Sequence, residues 1–109
     1  MIDWERIREL RSEIGPEDFM EVAAMFLEEA DEAVVRLAMP RDAKALEADL
    51  HFLKGAALNL GFSQLSTLCQ DGERRAAAGD LTVDVVAVRD SYLASKQRFL
   101  DEIPAAFAA

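Results

Sequence analysis

Apolar residues recur at spacings of three and four along most of this chain, in stretches far longer than a typical strand. Between Pro16 and about Leu37 the series consists of Phe19, Val22, Phe26, Ala30, Ala33 and Leu37. Side chains spaced in this way line one face of an α-helix, because a helix turns through about 100° per residue. The pattern therefore predicts a long amphipathic helix with one buried face.

The same period continues in three more stretches, which are separated only by short breaks. We predict helices from Asp42 to about Leu60, from Ser63 to Gly79-Asp80, and from Thr82 towards Pro104, with a short helix before all of them. The candidate N-caps are Asp3, Asp42, Ser63 and Thr82. The predicted breaks are Gly15-Pro16, Met39-Pro40-Arg41 and Gly61. At the start of the last helix, Leu81 and Val86 could form a hydrophobic staple.

Chain length and loop length together restrict the fold. The 109 residues suffice for one hydrophobic core and are too few for two, so we predict a single domain over residues 1–109. Four long helices joined by short turns favour an all-α, up-down-up-down antiparallel four-helix bundle. The short first helix is expected to pack across one end of that bundle.

Charge and composition exclude several classes of protein. The net charge of -9 argues against a nucleic-acid binder, which needs clustered Lys and Arg to neutralise phosphates. The lone Cys69 cannot form an internal disulfide, no apolar run approaches the roughly 20 residues of a membrane span, and no signal peptide is evident at the N-terminus. We therefore expect a cytoplasmic protein without membrane contact, and a monomer because the outer faces of the helices are polar.

The only histidine, His51, lies in the third predicted helix but away from its apolar face. That face centres near Leu46, and His51 projects roughly 140° from it, towards water. By itself this position fits an incidental surface residue, or a partly buried histidine with satisfied hydrogen bonds, as well as it fits a reactive one. The neighbouring residues distinguish these interpretations.

Gly55 and Lys54 follow His51 at the distance of one helical turn. Glycine inside a helix costs about 1 kcal/mol relative to alanine, so its presence needs a compensating reason. A side chain at position 55 would lean back over the His51 ring, and glycine would keep that ring accessible; close packing of another helix is the alternative. The Lys54 ammonium is near enough to meet a phosphoryl group on the imidazole, although most helical lysines are simply solvated.

Glu73 is the fourth member of this group. If the turn between the third and fourth helices centres near Phe62, His51 and Glu73 are each eleven residues from the turn and lie level with each other. A carboxylate that accepts from one imidazole N–H would fix the tautomer and leave the other nitrogen free as a nucleophile. The alternative is a solvated glutamate beside Arg74 and Arg75.

The stretch from His51 to Gly61, HFLKGAALNLG, resembles the motif of histidine-containing phosphotransfer (HPt) domains, which reads approximately H-x-L-K-G-[SA]-[SA]-x-x-L-G. The matching residues are His51, Leu53, Lys54, Gly55, Ala56, Ala57, Leu60 and Gly61. The motif covers eleven residues, and the length and helical pattern extend a looser resemblance over nearly the whole chain.

This resemblance implies a phosphocarrier of two-component phosphorelays. His51 would accept a phosphoryl group from a receiver-domain aspartyl phosphate, or from a hybrid sensor histidine kinase, and pass it to the receiver of another response regulator. Lys54 would stabilise the phosphate, Gly55 would leave room for docking, and magnesium would belong to the receiver. Position 73 is often glutamine in such domains, so the glutamate here puts its role in orienting the imidazole in question.

The partner must exclude water from the reacting atoms, which requires apolar surface beside His51. Leu58 lies on the His51 side of the third helix, two turns along, and Phe62 lies at the following turn. We predict that both contact the partner. The alternative for Leu58 is that the first helix covers it.

Other functions fit the sequence less well. One histidine and one distant cysteine lack the spacing of a zinc site, so we predict no metal and no cofactor. No serine or cysteine has a second histidine as its base, and no glycine-rich nucleotide loop is present, so neither a hydrolase nor autophosphorylation from ATP is expected. A non-catalytic interaction module of the same fold remains an alternative, as does a phosphoacceptor fragment served by a separate chemotaxis-type kinase.

Overall fold

The computed structural model describes residues 2–39 and 42–106. Its helices, in chain order, are α1 (Trp4–Ile14), α2 (Pro16–Leu37), α3 (Ala43–Leu60), α4 (Ser63–Ala77) and α5 (Val85–Ala106). Within these residues the only β-pairing is an isolated bridge between Ile2 and Phe62. The prediction of an all-helical chain is confirmed.

Most predicted helix boundaries agree with the structure, and local hydrogen bonds explain them. Asp3 Oδ1 accepts from the backbone N–H of Arg6 at 3.1 Å, and Asp42 Oδ1 accepts from that of Ala45 at 2.8 Å, as N-caps do. Gly15, with φ of 103°, separates α1 from α2. Of the predicted break at Met39-Pro40-Arg41, Pro40 and Arg41 lie outside the described residues.

Two predicted N-caps are wrong. Ser63 is the first residue of α4 and does not cap it. At the start of α5, Asp84 Oδ1 accepts from the backbone N–H of Ala87 at 3.0 Å, so the helix begins after Asp84. The Thr82 hydroxyl instead donates to Asp80 Oδ1 at 2.6 Å and accepts from Arg75 Nη2 at 3.1 Å.

The predicted staple of Leu81 and Val86 is also wrong: with Asp84 as the cap, the staple positions are Val83 and Val88, which are buried, while Leu81 and Val86 are more than half exposed. At the other end, Pro104 lies in the last turn of α5 and does not end it. No helix in the described part of the chain is long and apolar enough to cross a membrane.

The helices pack around a shared core to which all five contribute buried apolar side chains. Helix α3 packs on α2 and α4, and α5 packs on the same two helices. Helices α3 and α4 approach each other closely at Gly72, where a Cβ atom would lie 3.0 Å from Leu50 Cδ1. These contacts hold α3 and α4 in a fixed mutual register.

Helix α1 is tied to the α3–α4 turn. The Asp3 backbone N–H donates to Gly61 O at 2.6 Å, and Gly61 adopts the left-handed conformation with φ of 71°. A Cβ atom at position 61 would lie 2.5 Å from Asp3 O, so only glycine permits this approach. Trp4 stacks on Phe99 of α5 with ring centroids 6.3 Å apart, which brings α1 over the core.

A polar cluster joins α2 to α5. The Tyr92 hydroxyl lies 2.5 Å from Asp31 Oδ1 and 3.0 Å from the Leu27 carbonyl oxygen. Lys96 Nζ donates to both oxygens of Asp31 at 2.9 and 3.0 Å. Burial and the adjacent Asp31 carboxylate raise the pKa of Tyr92, so its hydroxyl stays protonated as a donor.

Candidate functional site

His51 lies on the exposed side of α3, with 69% of its side chain accessible. The prediction that this ring projects into water is confirmed. Its exposure follows from the helical period, because the apolar residues of α3, such as Leu50 and Leu53, occupy the opposite face and are fully buried. A partner can therefore reach the ring without any rearrangement of the core.

Glu73 of α4 contacts the His51 ring across the helix pair. The distance from His51 Nδ1 to Glu73 Oε1 is 2.7 Å, so the predicted proximity is confirmed. An ionised carboxylate can only accept, so Nδ1 carries the proton in this contact. Nε2 is consequently the unprotonated nitrogen of the neutral ring.

Lys54 pairs with the same carboxylate. Its Nζ lies 2.7 Å from Glu73 Oε2, and only 25% of the lysine side chain is exposed. From the sequence we predict that Lys54 and Glu73 each lie beside His51, but not that they pair with each other. Their shared position beside the ring would have been enough to predict this ion pair. Lys54 is therefore anchored beside the imidazole and is not a freely solvated lysine.

The Glu73 carboxylate is ionised at neutral pH. Its pKa lies below the ordinary value, chiefly because Lys54 donates a hydrogen bond to it, and the hydrogen bond from His51 acts in the same direction. Partial burial opposes both effects. The three side chains thus form a chain of contacts in which the carboxylate lies between the imidazole and the ammonium.

Gly55 faces open space on the His51 side of α3. A Cβ atom built at this position has no neighbouring atom within 4 Å, apart from the local helix backbone. The alternative explanation, close packing against another helix, therefore does not hold for Gly55. Close packing between helices instead involves Gly72.

A cavity of about 300 Å³ opens beside the ring, between α2 and α3. It is lined by His51, Gly55, Ala56, Phe26, Glu29, Phe52 and Asn59. Sequence reasoning missed Glu29 and Asn59, and it assigned Phe26 to the core. Which residues line this cavity depends on how α2 is rotated against α3. The sequence pattern within each helix does not determine that rotation.

Asn59 connects this cavity wall to α1. Its Oδ1 accepts from Arg6 Nη2 at 3.0 Å, and its Nδ2 donates to the Gly55 carbonyl oxygen at 3.2 Å. The amide is therefore held from both ends. These bonds fix one edge of the surface around His51 relative to the first helix.

The two residues predicted to contact a partner differ in exposure. Leu58 is 55% exposed, so α1 does not cover it. Phe62 is fully buried, with its ring 5.8 Å from that of Phe99 and 6.4 Å from that of Tyr92, and the prediction that it lies on the docking surface is wrong.

Local geometry at the end of α3 explains the burial of Phe62. Gly61 is left-handed, and the Phe62 backbone N–H donates to the Ala57 carbonyl oxygen at 2.8 Å. This is a Schellman motif, in which the residue after the glycine usually packs back on the helix through an apolar contact. The sequence Gly61-Phe62 at the end of a helix therefore predicts that the Phe62 side chain is buried.

The Cys69 thiol lies close to Glu73 but is fully buried. Burial raises the pKa of the Cys69 thiol to about 12, and the nearby Glu73 carboxylate adds to the shift. The thiol is thus neutral and enclosed. Among the described residues, no three or more His, Cys, Asp or Glu side chains are grouped so that they could hold a metal ion.

Comparison with known protein families identifies the family of this chain. A protein-family model described as "Hpt domain" matches residues 17–108, a range that includes α3, α4, α5 and nearly all of α2. Searches of curated proteins and of solved structures give no match.

Proposed function

The chain belongs to the Hpt domain family, whose members carry phosphoryl groups in two-component phosphorelays, and we propose that His51 is its phosphoacceptor. The observation that carries this proposal is the anchoring of the exposed His51 ring through Nδ1, 2.7 Å from Glu73 Oε1. This contact orients the ring and leaves the Nε2 lone pair directed outwards. An exposed, oriented and unprotonated nitrogen is what an attack on phosphorus requires.

In the proposed transfer, His51 Nε2 attacks the phosphorus of a receiver's aspartyl phosphate. The N–P bond forms while the bond from phosphorus to the aspartate oxygen breaks, and the aspartate leaves as a carboxylate. The reverse step passes the group to the aspartate of another receiver. The domain supplies the nucleophile and part of the electrostatic field around the phosphoryl group. It therefore acts as a carrier, and its partners supply the remaining catalytic groups.

Lys54 is proposed to offset the charge of the phosphoryl group. Its ammonium is held beside the ring by Glu73, at 2.7 Å from Oε2, so little side-chain entropy is lost when a phosphoryl group arrives. The same carboxylate competes for the ammonium. We therefore expect Lys54 to stabilise the phosphorylated state through the whole cluster rather than as an isolated cation.

The receiver is proposed to dock over His51, Gly55 and Leu58. Gly55 leaves open space beside the ring, and Leu58 with the partly exposed Phe52 supplies apolar area. Burying such side chains against a partner excludes water from the reacting atoms. The cavity next to Phe52 gives this surface a concave part.

The proposal treats residues 1–109 as one module in which α2–α5 form an up-down-up-down bundle. The packing of α3 and α5 on the same two helices, α2 and α4, supports that arrangement. A monomeric state and a cytoplasmic location remain predictions. So do the identities of the donor and recipient receivers.

Transfer from purified receivers tests the proposal. A panel of receiver domains, each carrying a radiolabelled aspartyl phosphate, is mixed with the wild-type chain and with the His51→Gln variant. We expect at least one receiver to label the wild type within seconds to minutes and none to label the variant. Label on the variant as well as on the wild type would contradict the proposal. So would the absence of label on both chains after incubation with every response-regulator receiver and hybrid kinase of the same organism.

A further inference from the structure

Glu73 contacts His51 and Lys54 at the same time, one with each carboxylate oxygen. The distances are 2.7 Å from Oε1 to His51 Nδ1 and 2.7 Å from Oε2 to Lys54 Nζ. Glutamine, which is common at this position in resembling domains, has no charge and has an amide NH₂ donor where glutamate has its second acceptor oxygen. The glutamate therefore changes the chemistry of the ring, beyond its orientation.

The effect of Glu73 on the His51 ring concerns the phosphorylated state. When Nε2 of neutral His51 forms a bond to phosphorus, the ring becomes cationic for as long as Nδ1 keeps its proton. In water, a phosphorylated imidazole gives up this proton as the pH rises through the neutral range. Beside Glu73, loss of the proton would leave the Nδ1 lone pair facing a carboxylate oxygen, which is electrostatically unfavourable.

We propose that Glu73 keeps Nδ1 of phosphorylated His51 protonated through the neutral and mildly alkaline range, so that the ring leaves phosphorus as neutral imidazole. When the N–P bond breaks, its electron pair returns to Nε2 and cancels the ring's positive charge, and the phosphoryl group passes to a receiver carboxylate or to water. Without the Nδ1 proton, the leaving group would be an imidazolate anion, which is far less stable. Glu73 thus makes the carrier a ready donor at pH values where a free phosphohistidine is long-lived. This inference rests on the proposed phosphorylation of His51.

The charged groups around the ring are consistent with this role. On α3, Lys54 keeps Glu73 ionised, since its hydrogen bond is the main cause of the lowered pKa of that carboxyl group. On α2, Glu29 lines the same cavity as the ring and also favours a cation there. On α4, Cys69 is neutral because burial raises the pKa of its thiol to about 12.

The test measures how phosphoryl loss depends on pH. The wild-type chain and the Glu73→Gln variant are phosphorylated with phosphoramidate, freed of reagent, and followed by ³¹P NMR between pH 5 and 10. In both proteins the hydrolysis rate should fall as the pH rises and Nδ1 loses its proton. We expect this fall about one pH unit higher in the wild type, because a carboxylate in contact with a cationic group raises the pKa of that group by at least one unit. At pH 8.5 the wild type should then lose its phosphoryl group about ten times faster than the variant.

A matched control and a second readout separate this effect from others. Glu28→Gln removes the same charge from an exposed position of α2 and should keep the wild-type pH profile. In wild-type protein with ¹⁵N-labelled histidine, the Nδ1 shift of the phosphorylated ring should show a bound proton at pH 8. That measurement needs no variant, so a folding defect in Glu73→Gln would not remove the test.

The outcomes distinguish this inference from the proposed function. Coincident pH profiles for wild type and Glu73→Gln, or an unprotonated Nδ1 at pH 8 in phosphorylated wild type, would overturn the inference and leave the phosphoacceptor role intact. Failure of phosphoramidate and of every receiver to place label on His51 would contradict the proposed function, and the inference with it.

Discussion

Replacing Gly55 with alanine should stabilise the protein while impairing its function. The position is inside α3, and a Cβ atom there meets no other atom within 4 Å beyond the local backbone, so alanine fits without strain. Alanine exceeds glycine in helix propensity by about 1 kcal/mol. For a domain of this size, that gain corresponds to a melting temperature roughly 4 °C higher.

The functional effect should have the opposite sign and grow with side-chain size. A side chain at position 55 leans towards the N-terminus of the helix, so a methyl group narrows the approach of a receiver's aspartate and a longer side chain extends over the His51 ring. We expect Gly55→Ala to slow transfer from a phosphorylated receiver and Gly55→Gln to nearly abolish it. Thermal melts and a transfer time course on the same samples measure both effects.

Gly72→Ala is the matched control, because the same added methyl group meets a packed interface. Its Cβ would lie 3.0 Å from Leu50 Cδ1 and 3.0 Å from Val83 Cγ1. Overpacking costs about 1–3 kcal/mol, so this variant should melt clearly below Gly55→Ala. A large drop in melting temperature for Gly55→Ala, or unchanged transfer by Gly55→Gln, would refute the claim that Gly55 serves access to the ring.

Three further predictions concern other parts of the molecule. Leu58→Asp should weaken binding of a receiver without lowering the melting temperature, since the leucine is 55% exposed; NMR shift changes on adding a receiver that avoid this surface would contradict its place in the docking site. Tyr92→Phe should cost about 1 kcal/mol in urea unfolding, because the hydroxyl binds Asp31 and the Leu27 carbonyl; an unchanged midpoint would show that the α2–α5 cluster adds no stability. Hydrogen bonds from Thr82, and secondarily from Arg75, lower the pKa of Asp80 to about 2. Its contribution to stability is therefore present above its ordinary value of 3.8 and is lost as the pH falls towards 2, and Asp80→Asn should flatten that part of the acid-unfolding curve.

The reactive group could be predicted from the sequence because it depends mainly on local geometry. Helical periodicity places His51, Lys54 and Gly55 on one exposed face, and counting residues from the α3–α4 turn places Glu73 level with the ring. Both predictions rely on regular helices and a short turn, which leave these side chains little freedom in their relative positions. The structure has the contact at 2.7 Å.

The docking surface was harder to predict because it depends on the packing between helices. Whether Glu29 faces the His51 ring is decided by the rotation of α2 against α3, which no local pattern fixes. The error at Phe62 has a different cause: the left-handed Gly61 forms a Schellman motif at the end of α3, which turns the next side chain inward. At the start of α5, the cap is Asp84 and not the predicted Thr82, whose hydroxyl binds Asp80.

The most direct test of the account is to locate the phosphoryl group on the chain and determine its chemical type. After exposure to a phosphorylated receiver, the wild type and His51→Gln are treated with acid or with alkali, and the modified peptide is identified by mass spectrometry. The account predicts one phosphorylated residue, His51, whose label is lost in acid and persists in alkali, and no label on the variant. Acid-stable label, or label that survives the His51→Gln substitution, would contradict it.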